Sequence, residues 1–218
     1  AGFSLEGAAR ANLRRAHRKA EREGLRYEVI DAAAVDAALP RLRAVSQAWL
    51  QGKTTREKGF SLGRFDESYL RHFPHALVWR GDELVAFANL WTGDGRTELS
   101  IDLMRHLPTA PGGVMDYLFV ETMRWGAARG FQRFNLGMAP LAGLETHPLA
   151  PLWHRVGTAL FHNGEHFYNF QGLRAFKEKF DPVWEPRYLA SPGGFAPFFI
   201  LADVAALIAG GLRRVISK

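Results

Sequence analysis

An α+β domain is the fold class that this chain of 218 residues predicts. Three observations carry it. The elements read in the order helix, strand, helix, helix, a run of strands, long helix, strand, helix, which is not the regular alternation of a βαβ array. The strands in the run are separated by Gly81-Asp82 and by Gly93-Asp94-Gly95, turn signals that make them antiparallel hairpins. A clear helical period then runs over 113–129, with Met115, Leu118, Phe119, Thr122, Met123 and Gly126 on one face. The expected sheet is mixed and largely antiparallel, flanked by helices.

Taken in order, Ser4 reads as the N-cap of a leading basic helix, with Glu6 in its first turn and Gly24 as its stop. Arg10, Arg14, Arg18 and Arg22 recur every four residues and form a stripe, widened by Arg15 and Lys19. That stripe is either a solvated face balanced by Glu21 and Glu23 or a phosphate-tracking surface. A short strand at 26–30 precedes a helix at 32–50 that carries Leu39, Leu42, Val45, Ala48 and Trp49. A polar loop at 51–63 holds Lys53, Arg56 and Lys58 and leads to a short helix at 65–73. Strands are expected at 76–80, 84–91 and 97–104. After the long helix, Gly130 precedes a strand at 131–136, and a helix is expected at 149–161. The apolar segment 195–216 either packs in the core or lies on a membrane, with Arg213 and Arg214 at anionic headgroups. No internal repeat or low-complexity linker interrupts the chain.

At 47% hydrophobic residues the chain is too apolar for disorder, yet it has no charge-free stretch of membrane-spanning length. Cysteine is absent, which excludes a disulfide scaffold, a Cys-ligated metal and a Cys nucleophile, and fits a reducing compartment. The net charge of +6, from 28 Lys and Arg against 22 Asp and Glu, favours anionic partners such as nucleic acid, phospholipid or a phosphorylated small molecule. The chain starts at Ala1 without a signal peptide and is expected to be cut from a longer protein.

Two literal motifs fail their context. Gly59-Phe60-Ser61-Leu62-Gly63 matches a nucleophile elbow, but the polar residues before it cannot be a core strand. His162-Asn163-Gly164-Glu165-His166 matches an inverted zincin, but Gly164 and the aromatics after it argue against a stable metal-binding helix, so no metal is expected.

Two clusters can carry chemistry. Alternation along 97–104 puts Glu98, Ser100 and Asp102 on one sheet face, with Arg105 at the strand end; this is a cleft or a wet edge. Further on, GEHFYNFQG, FKEKF and WEPRY interleave aromatics with Lys and Arg. Such a surface can hold a phosphate beside a stacked ring, or the aromatics are core and the cations snorkel outward.

Longer stretches carry a resemblance. They are Phe3-Ser4-Leu5-Glu6-Gly7 with its basic helix, EKGFSLGRFDESYL, VAFANL, ELSIDLMRH, GVMDYLF, FNLGMAPLAGLE and GEHFYNFQGLRAFKEKFDPVWEPRYLA, from Phe3 to about Ala190. In these the chain resembles the C-terminal catalytic domain of bacterial phosphatidylglycerol aminoacyltransferases, the multiple peptide resistance factor family. The resemblance implies a GNAT-like acyltransferase fold, related to Fem-type peptidoglycan aminoacyltransferases. The parts are then a basic leading helix at 1–25, a GNAT-like catalytic subdomain at 26–190 and an apolar C-terminal helix at 191–218. It also implies transfer of an alanyl or lysyl group from aminoacyl-tRNA to a hydroxyl of phosphatidylglycerol, giving resistance to cationic peptides. The partners implied are aminoacyl-tRNA, phosphatidylglycerol, an N-terminal membrane domain and a first GNAT-like subdomain, at the cytoplasmic face of the bacterial inner membrane.

On residue type and family position, Asp102 orients or deprotonates the lipid hydroxyl, or binds the aminoacyl amine. Arg105 binds the lipid phosphate and Glu165 is a second acid. Lys177 and Lys179 contact the tRNA end or stabilise charge, and Tyr168, Asn169 and Arg187 complete the substrate-binding set. Arg10, Arg14 and Arg18 track the acceptor stem. The donor ester is already activated, so no cofactor is expected. The rivals are a CoA-dependent N-acetyltransferase, a Fem-like tRNA-dependent peptide aminoacyltransferase, and a non-catalytic tRNA- or membrane-binding module. The loop 105–113 speaks against CoA: its prolines remove backbone donors and it lacks the Q/R-x-x-G-x-G spacing.

Overall fold

The computed structural model describes residues 4–52, 64–139 and 170–188, with isolated positions between 190 and 204. Its sheet has five strands in sequence order: β1 (Leu25–Ile30), β2 (His75–Arg80), β3 (Glu83–Thr92), β4 (Glu98–His106) and β5 (Arg133–Asn135). The first four form an antiparallel meander, and β5 lies parallel to β4. That parallel pairing requires a crossover, supplied by α4 (Val114–Ala128). The α+β class and the mixed, largely antiparallel sheet are therefore as the sequence predicts.

The local signals act where the residues place them. Gly81, in the left-handed region at φ 59°, turns β2 into β3 between the paired Arg80 and Glu83. The Asp66 carboxylate accepts the Ser68 and Tyr69 N–H groups at 3.0 and 3.3 Å and so starts α3 (Glu67–Leu70). Those bonds, with the Ser68 hydroxyl first, hold the exposed Asp66 carboxyl below its usual range. In α2 (Val35–Gln51), Val35, Leu39, Leu42 and Val45 fall on one buried stripe.

Helices cover both sheet faces. On one, α1 (Ala11–Arg22) and α4 bury Leu13, Ala20, Leu118, Phe119 and Met123 against Val78, Ala86 and Ala88. On the other, α2 and α3 bury Val35, Leu42 and Leu70 against Leu77, Phe87 and Leu103. α5 (Phe170–Glu178) sends Phe176 onto the Phe119 ring of α4 at 5.2 Å, and Phe180 follows at 5.4 Å.

The leading helix departs from expectation. It begins at Ala11 rather than after Ser4, and Arg10 occupies the cap position without a side-chain cap. The half-buried Arg14 guanidinium donates to the carbonyls of Leu5 and Gly7, and Arg10 donates to that of Ser4 at 2.7 Å. The leading segment is thus folded back by two arginines of the predicted stripe. The buried His17 ties α1 to Glu121 of α4 at 2.7 Å. The expected helix at 149–161, both discounted motifs and most of 195–216 lie outside the described residues.

Candidate active site

The α2/α3 face of the sheet is apolar at one end and polar at the other. Its polar lane comprises His75 on β2, Asn89 and Trp91 on β3, and Ser100, Asp102 and Arg105 on β4. A bulge produces this set. Ile101 pairs with Leu90 and Met104 pairs with Ala88, so Asp102 and Leu103 together stand opposite Asn89. Strict alternation would send Asp102 and Arg105 to opposite faces. Instead Asp102 meets Tyr69 of α3, and Arg105 meets Trp49 of α2.

Asp102 is half-buried, and its Oδ2 accepts the Tyr69 hydroxyl at 2.9 Å. Trp91 Nε1 in turn donates to the Tyr69 oxygen at 2.7 Å. Burial, then the bond to the Asp102 carboxylate, pushes the Tyr69 hydroxyl up to about 12. At neutral pH Tyr69 therefore stays a donor and fixes one carboxylate oxygen. Tyr69 was missed in the sequence because only the fold carries it across to β4; the Asp66 cap that orients α3 was the available signal.

Arg105 is 8% exposed. Its guanidinium lies 4.1 Å from the centroid of the Trp49 ring and donates to the Met104 carbonyl at 2.9 Å. At the far edge, Asn135 of β5 donates to Glu98 at 3.0 Å.

The other expected residues that the structure describes make their recorded contacts elsewhere. Lys177 is 6% exposed and donates to the Met138 carbonyl at 2.8 Å. Burial lowers its amine to about 8. Lys179 contacts both Asp116 oxygens at 3.0 and 3.1 Å, beside a cavity of about 250 Å³ at the start of α4. Arg187 is exposed and lies 3.3 Å from Glu185. Arg10 contacts Asp181 at 3.6 Å, while Arg18 points to solvent. Glu165, Tyr168 and Asn169 lie outside the described residues. A larger cavity of about 520 Å³ opens elsewhere, at the β3–β4 turn between Asp31, Arg96 and Arg129. Among the described residues no cluster of His, Asp and Glu is arranged to hold a metal ion.

Lys177 supplies a stability test. Its folded pKa of about 8 lies below the ordinary 10.5, so burial sets up a resistance to protonation: between pH 8 and 10.5 the unfolded chain holds a proton that the folded chain gives up, and stability rises with pH across that interval. Lys177→Met removes that resistance and loses one hydrogen bond. We expect a net gain of about 1–2 kcal/mol at pH 7, shrinking toward pH 10, in urea melts at both pH values.

An α+β domain with this sheet and these covering helices is shared with solved lysylphosphatidylglycerol synthetases. The C-terminal domain of a protein from Agrobacterium fabrum, provisionally named as such, superposes with a TM-score of 0.81 at 43% identity, over 97% of this chain and 63% of that one. L-PGS from Bacillus licheniformis superposes with a TM-score of 0.80 at 40% identity, over 95% and 63%. Residues 1–191 match the family of the phosphatidylglycerol lysyltransferase C-terminal region, and the chain belongs to that family. The phosphatidylglycerol lysyltransferase of Bacillus subtilis is 43% identical over 190 residues, and that of Staphylococcus aureus strain MRSA252 is 32% identical over 188. Each alignment takes in 86% of this chain but 22% of the relative, so the chain spans about a fifth of those proteins.

Proposed function

We propose that this domain moves an aminoacyl group from aminoacyl-tRNA to a glycerol hydroxyl of phosphatidylglycerol. The relatives' names point to lysine. The observation that carries the chemistry is the half-buried Asp102 carboxylate, oriented on the polar sheet face by the Tyr69 hydroxyl. In the reaction the lipid hydroxyl oxygen attacks the ester carbonyl carbon. Asp102 takes the hydroxyl proton, the bond from the carbonyl carbon to the ribose oxygen breaks, and the proton passes to that oxygen. The donor is an activated ester, so the chain needs neither a covalent intermediate nor a cysteine.

Arg105, fixed over Trp49, supplies a positive charge on the Asp102 side of the sheet for the lipid phosphate. Arg10 and Arg14 hold the leading segment, which leaves Arg18 to meet the acceptor stem. Lys177, Lys179 and Arg187, with Glu165, Tyr168 and Asn169, serve the tRNA end and the headgroup. The remaining parts of the longer protein, a membrane domain and a first subdomain, hold this one at the cytoplasmic face of the membrane.

A surface near β5 supports a lipid acceptor. Val183 and Tyr188 are 90% and 89% exposed, and Met138 and Trp184 also reach solvent. Arg174 lies over the Trp184 ring at 5.4 Å, and Arg133 and Arg187 flank Glu185. Aromatic and aliphatic side chains among arginines suit an anionic bilayer surface. Val183→Asp with Trp184→Ala is expected to lower binding to phosphatidylglycerol vesicles by about tenfold in flotation, at roughly 1.4 kcal/mol per decade. Unchanged flotation removes this surface from the reading.

The function itself is tested with phosphatidylglycerol vesicles and separately charged lysyl- and alanyl-tRNA, using the chain alone and joined to its preceding subdomain. Aminoacylated lipid is the expected product. Its absence with both donors and both proteins overturns the reading.

A further inference from the structure

Asn89 has none of the features that mark a reactive group, yet it sits at the point on which the Asp102 site turns. It is fully buried on β3, opposite the bulge that Asp102 and Leu103 form in β4. A bulge leaves a backbone group without its ladder partner. Here that group is the Leu103 N–H, and Asn89 Oδ1 accepts it at 2.7 Å, both atoms being buried. A buried amide left without a partner is costly, so the carboxamide stabilises the bulged form of the strand against the regular one.

The consequences reach three side chains. The bulge brings Asp102 and Arg105 to one face, Asp102 onto Tyr69 and Arg105 onto Trp49. The Asn89 carboxamide also lies against the Tyr69 hydroxyl, where it favours the ionised form of that group. Its cross-strand partner is His75, likewise fully buried, whose Nδ1–H donates to the Phe73 carbonyl at 3.0 Å. Among the described residues, Asn89 Nδ2 and His75 Nε2 are buried without a well-aligned hydrogen-bond partner, so polar groups occupy this part of the core where apolar ones would pack at lower cost.

We infer that Asn89 is a positioning residue of the transfer site: by accepting the Leu103 N–H it holds the β4 bulge that turns Asp102 and Arg105 to the same substrate-facing side. The inference rests on the reading of Asp102 given above. Asn89 touches no substrate; it acts through the direction of the Asp102 and Arg105 side chains. An error of about 1 Å in such a direction costs on the order of a hundredfold in rate.

The test compares Asn89→Leu, which keeps the size and loses the acceptor, with Asn89→Asp, which keeps an oxygen for the Leu103 N–H and is held protonated by burial. Both are assayed at pH 6.5 in the lipid aminoacylation assay, with turnover referred to the folded fraction from far-ultraviolet circular dichroism. Asn89→Leu is expected to lose about a hundredfold in kcat with KM for phosphatidylglycerol within threefold, and Asn89→Asp to stay within tenfold of the parent. A parental kcat in folded Asn89→Leu overturns the proposal, as does a change confined to KM. If Asn89→Leu does not fold, Asn89→Asp decides alone, and a loss beyond tenfold overturns it. Asp102→Asn is run beside them: parental activity there sinks the reading of Asp102 itself, whereas an inactive Asp102→Asn beside a fully active Asn89→Leu sinks only the role of Asn89.

Discussion

Asp102→Asn is expected to lower lipid aminoacylation by about 10²–10⁴-fold, the range for removing a general base. The substitution keeps the size of the side chain and an oxygen to accept the Tyr69 hydroxyl, so the local structure persists. What it removes is the capacity to take the lipid hydroxyl proton. The loss should fall in kcat, and thermal unfolding should stay close to that of the parent. Tyr69→Phe separates orientation from proton transfer. It leaves the carboxylate and removes the bond from the Tyr69 hydroxyl to its Oδ2, so a smaller loss of about tenfold is expected. Equal activity of Asp102→Asn and parent, measured as aminoacylated lipid per folded enzyme, removes Asp102 from the chemistry.

Acid should weaken the fold through His75. Burial lowers its pKa from 6.5 to about 4, with the bond to the Phe73 carbonyl acting in the opposite direction. The unfolded chain therefore binds a proton between pH 6.5 and 4 that the folded chain refuses. Stability is full above pH 6.5 and is lost as pH falls toward 4. A shift of this size corresponds to about 3 kcal/mol. His75→Phe abolishes the titration and places a ring beside Phe87, which already lies 6.4 Å from the His75 ring centroid. The melting temperature of the parent should fall more steeply than that of His75→Phe over this interval. Parallel slopes would show that the acid sensitivity arises elsewhere.

Much of the frame was legible because its signals are short-range. The glycine turns delimit β2, β3 and β4 to within a residue or two of the expected strands. The helical period at 113–129 became α4, and its crossover set the parallel β5. The basic stripe shows where such signals stop. Spacing put Arg10 and Arg14 on one face with Arg18, but it could not say that the chain before them would fold back and present its carbonyls. Lys177 is a similar case: its residue type marked it as a cation for substrate, but only the fold shows that its amine is buried and donates to the Met138 carbonyl.

The amino-acid sequence by itself determined the class of the domain, the order of its elements and the presence of Asp102 on a polar sheet face. Those properties follow from side-chain period, turn conformation and caps, each settled within a few residues. Only the tertiary structure decided that Tyr69 holds that carboxylate and that Arg105 shares its face. Both depend on one extra residue in β4 opposite Asn89, and a bulge is stabilised by a partner on the neighbouring strand. Nothing within β4 itself announces a partner 14 residues away in the chain.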